Sequence, residues 1–272
     1  MTLLQLVLNG MALGAAYALV ALGFVLVLNA TGAVNFAQGD LVMAGGYASA
    51  ALAAALPLPG LALLPVVIGA MALLGLLVAG LAYFPLMRRP ATAVFVSTIA
   101  IGLVLQNAAL NLFGPEPRTA PPVWDSEPLR WGGLMLSSQA LAVIGIAAVL
   151  VSSQAWLLAR TRVGRNLRAT AQDRDMAAAL AGAAGALLAN QFFVTPTTGG
   201  ALILKAYIAV VIGGWGSLAG AVVGALLVGL FETVVAAAVS YTAASVLLYA
   251  ALLVILLLRP QGLFGEAAGR RA

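Results

Sequence analysis

Three charged side chains interrupt the long apolar runs of this 272-residue chain: Asp40, Lys205 and Glu232. A charge at membrane depth is expensive to desolvate, so each is a candidate for handling an ion or a solute. Each also has a quieter explanation. Asp40 can stabilise a helix start through the dipole. Lys205, close to Gly199 and Gly200, can snorkel to the outer headgroups. Glu232 can bond to a serine or threonine on a neighbouring helix. The chain has no histidine and no cysteine, which removes His and Cys metal ligands, thiolate nucleophiles and Ser-His couples. Its single lysine is followed by Ala206, whereas a Walker A loop needs Ser or Thr there. No catalytic, metal or cofactor site is expected. If ATP drives this protein, another subunit binds it.

The polar stretch Asn29–Asp40, NATGAVNFAQGD, lies between two apolar segments. One reading is a broken helix whose freed backbone groups line a cavity, where transporters place solutes. The other is a plain cytoplasmic turn. On the first reading Asn35, Gln38 and Asp40 border a translocation path, with Gly32 and Gly39 letting the backbone unwind. Lys205 and Glu232 are further candidates for that path.

The elements that must position these residues are apolar helices. The composition is 63% hydrophobic and 8% charged, and the mean hydropathy is +1.09. A chain so apolar suits lipid as its solvent. Its runs do not alternate as an outer-membrane barrel requires. The expected fold is all-α: one polytopic transmembrane bundle over residues 1–272, with eight or nine spans and broken helices. Expected spans are Leu3–Leu28, a helix from Leu41 to the prolines at 57 and 59, Leu61–Met87, Ala93–Phe113, Ala140–Ala159, a short Ala177–Val194, Ala201–Ile212, Ser217–Val239 and Ala243–Leu258. The first run lacks a basic n-region, so no cleaved leader is expected.

Charge sets the orientation. Arg88 and Arg89, the segment Arg160–Asp175 with net +3, and the tail from Arg259 to Arg271 with net +2 are basic, while Gly114–Arg130 carries net −1. Basic loops stay in the cytoplasm. Arg162 and Arg270 are therefore expected inside and Trp124 outside, with a cytoplasmic C-terminus. The +5 net charge is a topology signal, and without a basic stripe and interleaved aromatics it does not point to nucleic acid. Residues 160–176 read as a short amphipathic cytoplasmic helix with Val163, Leu167 and Ala171 on one ridge. That ridge fits either a groove on a soluble partner or anionic headgroups. Gly10 and Gly14, and Gly216, Gly220 and Gly224, form small-residue stripes suited to close helix packing. Gly214, Gly216 and Ala219 also match G-x-G-x-x-A, a weak signal without a preceding strand.

The chain resembles the permeases of branched-chain amino acid ABC importers over nearly its whole length. The N-terminal block carries Asn9-Gly10, Gly14, Tyr17-Ala18-Leu19, Asn35-Phe36-Ala37, Gly39 and Gly46-Tyr47. Arg160-Thr161-Arg162-Val163-Gly164-Arg165 with Arg168-Ala169 is similar to the family's cytoplasmic coupling segment. Lys205-Ala206, Gly213-Gly214, Gly216-Ser217, Gly220-Ala221 and Gly224 resemble its C-terminal signature, as does the ending RPQGLFG. The sequence departs from the pattern after Met176: the family continues through a Leu-Gly-Ile turn into another helix, whereas here the chain runs directly into Ala177–Leu180. A stretch is missing, which shortens the following helix and the coupling element.

The resemblance implies an inner-membrane permease paired with a homologous second permease, served by two cytoplasmic ATPase subunits and a periplasmic substrate-binding protein. Arg162, Val163, Gly164, Arg165, Leu167 and Arg168 would then couple it to the ATPase. Leucine, isoleucine and valine are the implied solutes. The competing reading from the residues alone is an ion-coupled secondary transporter using Asp40 and Glu232.

Overall fold

A computed structural model describes residues 3–32, 34–56, 58–86, 89–120, 122, 129–131, 134–160, 187, 194–259 and 262–263. Eight long helices run through them: α1 Leu3–Thr31, α2 Gln38–Ala55, α3 Gly60–Val78, α4 Ala91–Phe113, α5 Ser138–Arg160, α6 Thr198–Gly213, α7 Leu218–Ala238 and α8 Tyr241–Leu258. Among the described residues six helices are long and apolar enough to cross a membrane, and α6 is a shorter apolar one. The protein is a multi-pass helical bundle. The expected helix at Ala177–Val194 lies almost wholly outside the described residues.

The observed helices start or stop within a few residues of expectation, and local chemistry explains the shifts. α3 runs on through a π-turn at Ala79–Tyr83 and a 3-10 turn at Phe84–Leu86. Pro85 lacks the N–H that would continue the regular ladder. α7 and α8 open on Ser217 and Ser240, whose hydroxyls accept the N–H of Gly220 and Ala243. The acidic loop after α4, expected to be irregular, contains a short antiparallel pair, Leu129–Trp131 with Leu134–Leu136.

α1 is the central helix, and 94% of its most apolar window is buried. Small residues put it there. Gly10 and Gly14 lie on the backbone of α7 at Leu226–Leu230, and Gly229 of α7 lies on Gly14 in return. A Cβ on Gly14 would come within 2.8 Å of the Leu226 Cα. On its other side α7 meets α6 through Gly220 against Gly213 and Gly224 against Ala209. Lipid gives helices no hydrophobic reason to associate, so close backbone approach and dispersion must hold them. Gly216 departs from the expected stripe. It precedes α7, in the turn, with φ +81, and its carbonyl accepts from the Asn29 side chain at 3.0 Å. The stripe fails there because the helix begins only after the turn that the glycine makes possible.

The outer helices show the opposite pattern. Leu73 and Leu77 on α3, Val96 and Leu112 on α4, and Leu253 and Leu257 on α8 are exposed. Apolar faces of this kind suit acyl chains or a further membrane helix.

Candidate functional site

The junction between α1 and α2 begins where α1 ends. Gly32, with φ +65, takes the left-handed conformation that closes α1, and its N–H reaches the Leu28 carbonyl. Asn35 then accepts the Ala37 N–H through its side chain at 3.0 Å, and the Phe36 N–H goes to the Thr98 hydroxyl at 3.2 Å. These bonds satisfy the donors ahead of α2. The helix therefore starts at Gln38, three residues before the expected Leu41.

The depth of this segment follows from its partners on α4. Phe36 packs edge-on against Phe95 at 5.1 Å. Asp40 accepts a hydrogen bond from Gln106 at 2.9 Å, and its carboxylate lies against Gly102, where a Cβ would push it aside. Seven residues on, Tyr47 stacks on Phe113 at 4.8 Å. α2 and α4 thus advance together, and Asp40 sits level with the middle of a membrane-spanning helix. The segment Asn35–Asp40 is a helix break inside the bundle. It runs from the first turns of α4, at Phe95 and Thr98, to that helix's middle at Gly102 and Gln106.

The N-terminus of α6 arrives at the same place. Gly39 is the second residue of α2 and Gly199 the second residue of α6, and the two glycines are packed backbone to backbone. A Cβ on Gly199 would lie 2.8 Å from the backbone of Asp40, and one on Gly39 would strike the Gly199 carbonyl. Two helix N-termini, each carrying partial positive charge, therefore converge on the Asp40 carboxylate. Gln38 and Asp40 are both buried, and Asn35 is half-buried. The structure brings Asn35, Gln38 and Asp40 together and adds Gly102, Gln106 and Gly199. No sequence signal distinguishes Gln106 and Gly102 from other residues of α4.

Lys205 and Glu232 form a separate group. Residue 205 lies six positions past Gly199, roughly 9 Å along α6. Its ammonium meets the Glu232 carboxylate at 2.5 Å and donates to Tyr17 at 3.1 Å and Tyr241 at 3.0 Å. The Tyr17 hydroxyl donates to the other Glu232 oxygen at 3.0 Å. The lysine and glutamate side chains are only 5% and 1% exposed. Snorkelling to the headgroups is therefore corrected to burial, and a Ser or Thr partner for Glu232 is corrected to Lys205 and Tyr17. Four helices, α1, α6, α7 and α8, each supply one member of this network. An interior charge survives only beside its complement, and the tyrosines complete the hydrogen bonding.

The coupling residues Arg162, Val163, Gly164, Arg165, Leu167 and Arg168 lie outside the described residues, as do Arg88, Trp124 and Arg270. α5 carries the chain as far as the exposed Arg160.

The model of the family described as branched-chain amino acid transport system, permease component, matches residues 6–180 and 176–257. The high-affinity branched-chain amino acid transport system permease protein LivH of Escherichia coli K12 is 31% identical over 97% of this chain and 96% of its own length. The corresponding BraD protein of Pseudomonas aeruginosa is 28% identical over the same shares. A probable branched-chain amino acid transport permease LivH of Methanocaldococcus jannaschii is 28% identical over 80% of this chain and 76% of its own. No solved structure gives a significant match. The family match comes in two pieces that meet at residues 176–180, and the alignment with the Escherichia coli protein runs over 295 residues although this chain has 272. The relatives therefore carry a stretch that this chain lacks, in agreement with the departure seen after Met176.

Proposed function

The chain belongs to the family of branched-chain amino acid transport system permease components, and from that premise we propose that it is a permease subunit of an ATP-driven importer, forming part of the path by which leucine, isoleucine or valine crosses the inner membrane. The single observation that carries the path is the meeting of α2 and α6 at Asp40, midway along α4. A zwitterionic solute needs complementary charge at depth. The Asp40 carboxylate suits its ammonium group, and converging helix N-termini suit its carboxylate. Asn35 and Gln38 border the same path. Hydrolysis falls to two separate cytoplasmic ATPase subunits, and solute delivery to a periplasmic binding protein, with a homologous permease as partner. The segment Arg162–Arg168 is the ATPase contact, and Lys205 with Glu232 braces the helices behind the path.

The test is uptake of labelled leucine in a bacterial host deleted for its own branched-chain permeases. This chain is expressed there with its candidate partner permease, ATPases and binding protein. Uptake should follow cellular ATP and persist with a protonophore while ATP is held constant. Uptake abolished by the protonophore at constant ATP would instead establish the ion-coupled reading.

Asp40→Asn keeps the shape and can still accept from Gln106, so the protein should accumulate normally. Loss of the charge should lower uptake by about tenfold, the scale of one interior charge interaction. Uptake equal to the parent would remove Asp40 from the path.

Orientation is tested with the same system. The native chain has no cysteine, so Arg165→Cys should react with an impermeant maleimide only after the cells are opened. A cysteine at Trp124 should react in intact cells. The reverse pattern would invert the assignment.

A further inference from the structure

Above Asp40, on the same face of α2, lies a small apolar cluster separate from the main core: Met43, Tyr47, Ala109, Ala120 and Val194. Its members come from α2, α4, the loop that follows α4, and the extended segment that leads into α6. Two backbone hydrogen bonds pin those last two pieces together, Arg118 N–H to the Val194 carbonyl at 3.0 Å and Val194 N–H to the Arg118 carbonyl at 2.8 Å. Arg118 also lies over the Phe113 ring, 5.4 Å from its centroid, and its guanidinium donates to the Phe113 carbonyl at 3.0 Å. Tyr47 stacks under the same ring with the planes 15° apart. The result is a column running inward from an exposed cation through a half-buried ring to a buried one.

We infer that the Arg118–Phe113–Tyr47 column, with the apolar cluster beneath it, is the outer gate of the Asp40 site. The inference rests on the reading of Asp40 as part of the path. Three properties fit a gate better than permanent packing. The cluster is small and shares with the main core the half-buried Leu105, so its parting is a local opening rather than a separation of α1 from α7. The pieces it joins carry the entrance to α6, so parting them uncovers the Gly39–Gly199 junction. The Tyr47 hydroxyl is buried and, among the described residues, has no hydrogen-bond partner. An unsatisfied buried hydroxyl costs free energy that exposure to water recovers. The closed column thus carries a built-in bias towards opening, which stacking and the Arg118–Val194 tie hold in check.

The reporter is Met43→Cys, which sits beneath Tyr47 in an otherwise cysteine-free chain. Ala120→Cys is a second reporter from the loop side. The complete transporter is assembled in membranes and labelled from outside with an impermeant thiol reagent. Phe113→Ala removes the stacking surface and should speed labelling about tenfold. Tyr47→Phe has the opposite expected sign. It deletes only the unsatisfied hydroxyl, so the closed form gains relative to the open one, and labelling and uptake should both slow by about fivefold. Because Tyr47→Phe keeps the ring, it tests the gate even if Phe113→Ala fails to accumulate. Equal labelling at both reporters in the parent and in Tyr47→Phe, with uptake unchanged, would overturn the gate and leave the cluster as fixed packing. The labelling readout does not depend on the solute. A host that shows the expected labelling changes but no leucine uptake would keep the gate and discard the substrate reading.

Discussion

Glu232→Ala is expected to destabilise the purified protein by about 3–5 kcal/mol, the range for removing one partner of a buried ion pair. Lys205 would remain 4% exposed with its ammonium facing only the Tyr17 and Tyr241 hydroxyls. Tyr17 would lose its acceptor as well. α1 itself supplies Tyr17 and packs against α6 and α7, so the damage reaches the centre of the bundle. The informative comparison is Lys205→Met with Glu232→Leu in one chain. Replacing a buried pair by apolar groups of similar volume is often neutral or stabilising. The double variant should therefore recover most of the melting temperature in detergent. If it also recovers uptake, the pair is a brace. If it is stable but does not transport, the pair takes part in the path itself. A Glu232→Ala protein that melts with the parent would show that the network contributes little to the fold.

Gly39→Ala should be among the most damaging single-methyl changes. The new Cβ would strike the Gly199 carbonyl, a backbone group that cannot rotate away. Overpacking typically costs 1–3 kcal/mol, and about the upper end is expected where backbone meets backbone. α2 and α6 must separate to make room, and their separation displaces Asp40, so uptake should fall more steeply than protein level. Gly199→Ala should behave alike, because its Cβ would lie against Asp40. Gly69→Ala is the control. Gly69 lies within α3 with nothing within 4 Å of its would-be Cβ, so helix propensity alone should make the change neutral or stabilising by up to about 1 kcal/mol. Normal uptake in Gly39→Ala would mean that the junction is loose enough to absorb a methyl group, which the proposed path excludes.

The two sites are unequally legible in the sequence. Glu232 and Lys205 stand out in it because an interior charge is rare, and the composition alone flags them. Which group each one meets does not follow, since 27 positions and a helix turn separate them. Gly39 belongs to a recognisable polar break, yet Gly199 reads only as part of a turn. Their contact is set by how two distant helices cross.

Solvent, class of fold and family are all legible in the residues alone. Long uncharged runs need lipid, helices are the structure that satisfies their own backbone there, and three separated motif blocks carry the resemblance. So is the break at Asn29–Asp40, because polar residues and glycines between apolar helices are a local signal. What that break packs against is visible only once the helices are in place. Hydropathy is a property of neighbours along the chain and does not record depth. Depth came from Phe36 beside Phe95, Asp40 beside Gln106 and Tyr47 beside Phe113. In the same way a stripe of small residues announces close packing without naming its partner. Gly10 and Gly14 were legible, whereas Gly229, which completes their contact from α7, became meaningful only once the helices were in place. Helix association in lipid depends on the fit of two surfaces, and each sequence segment holds only one of them.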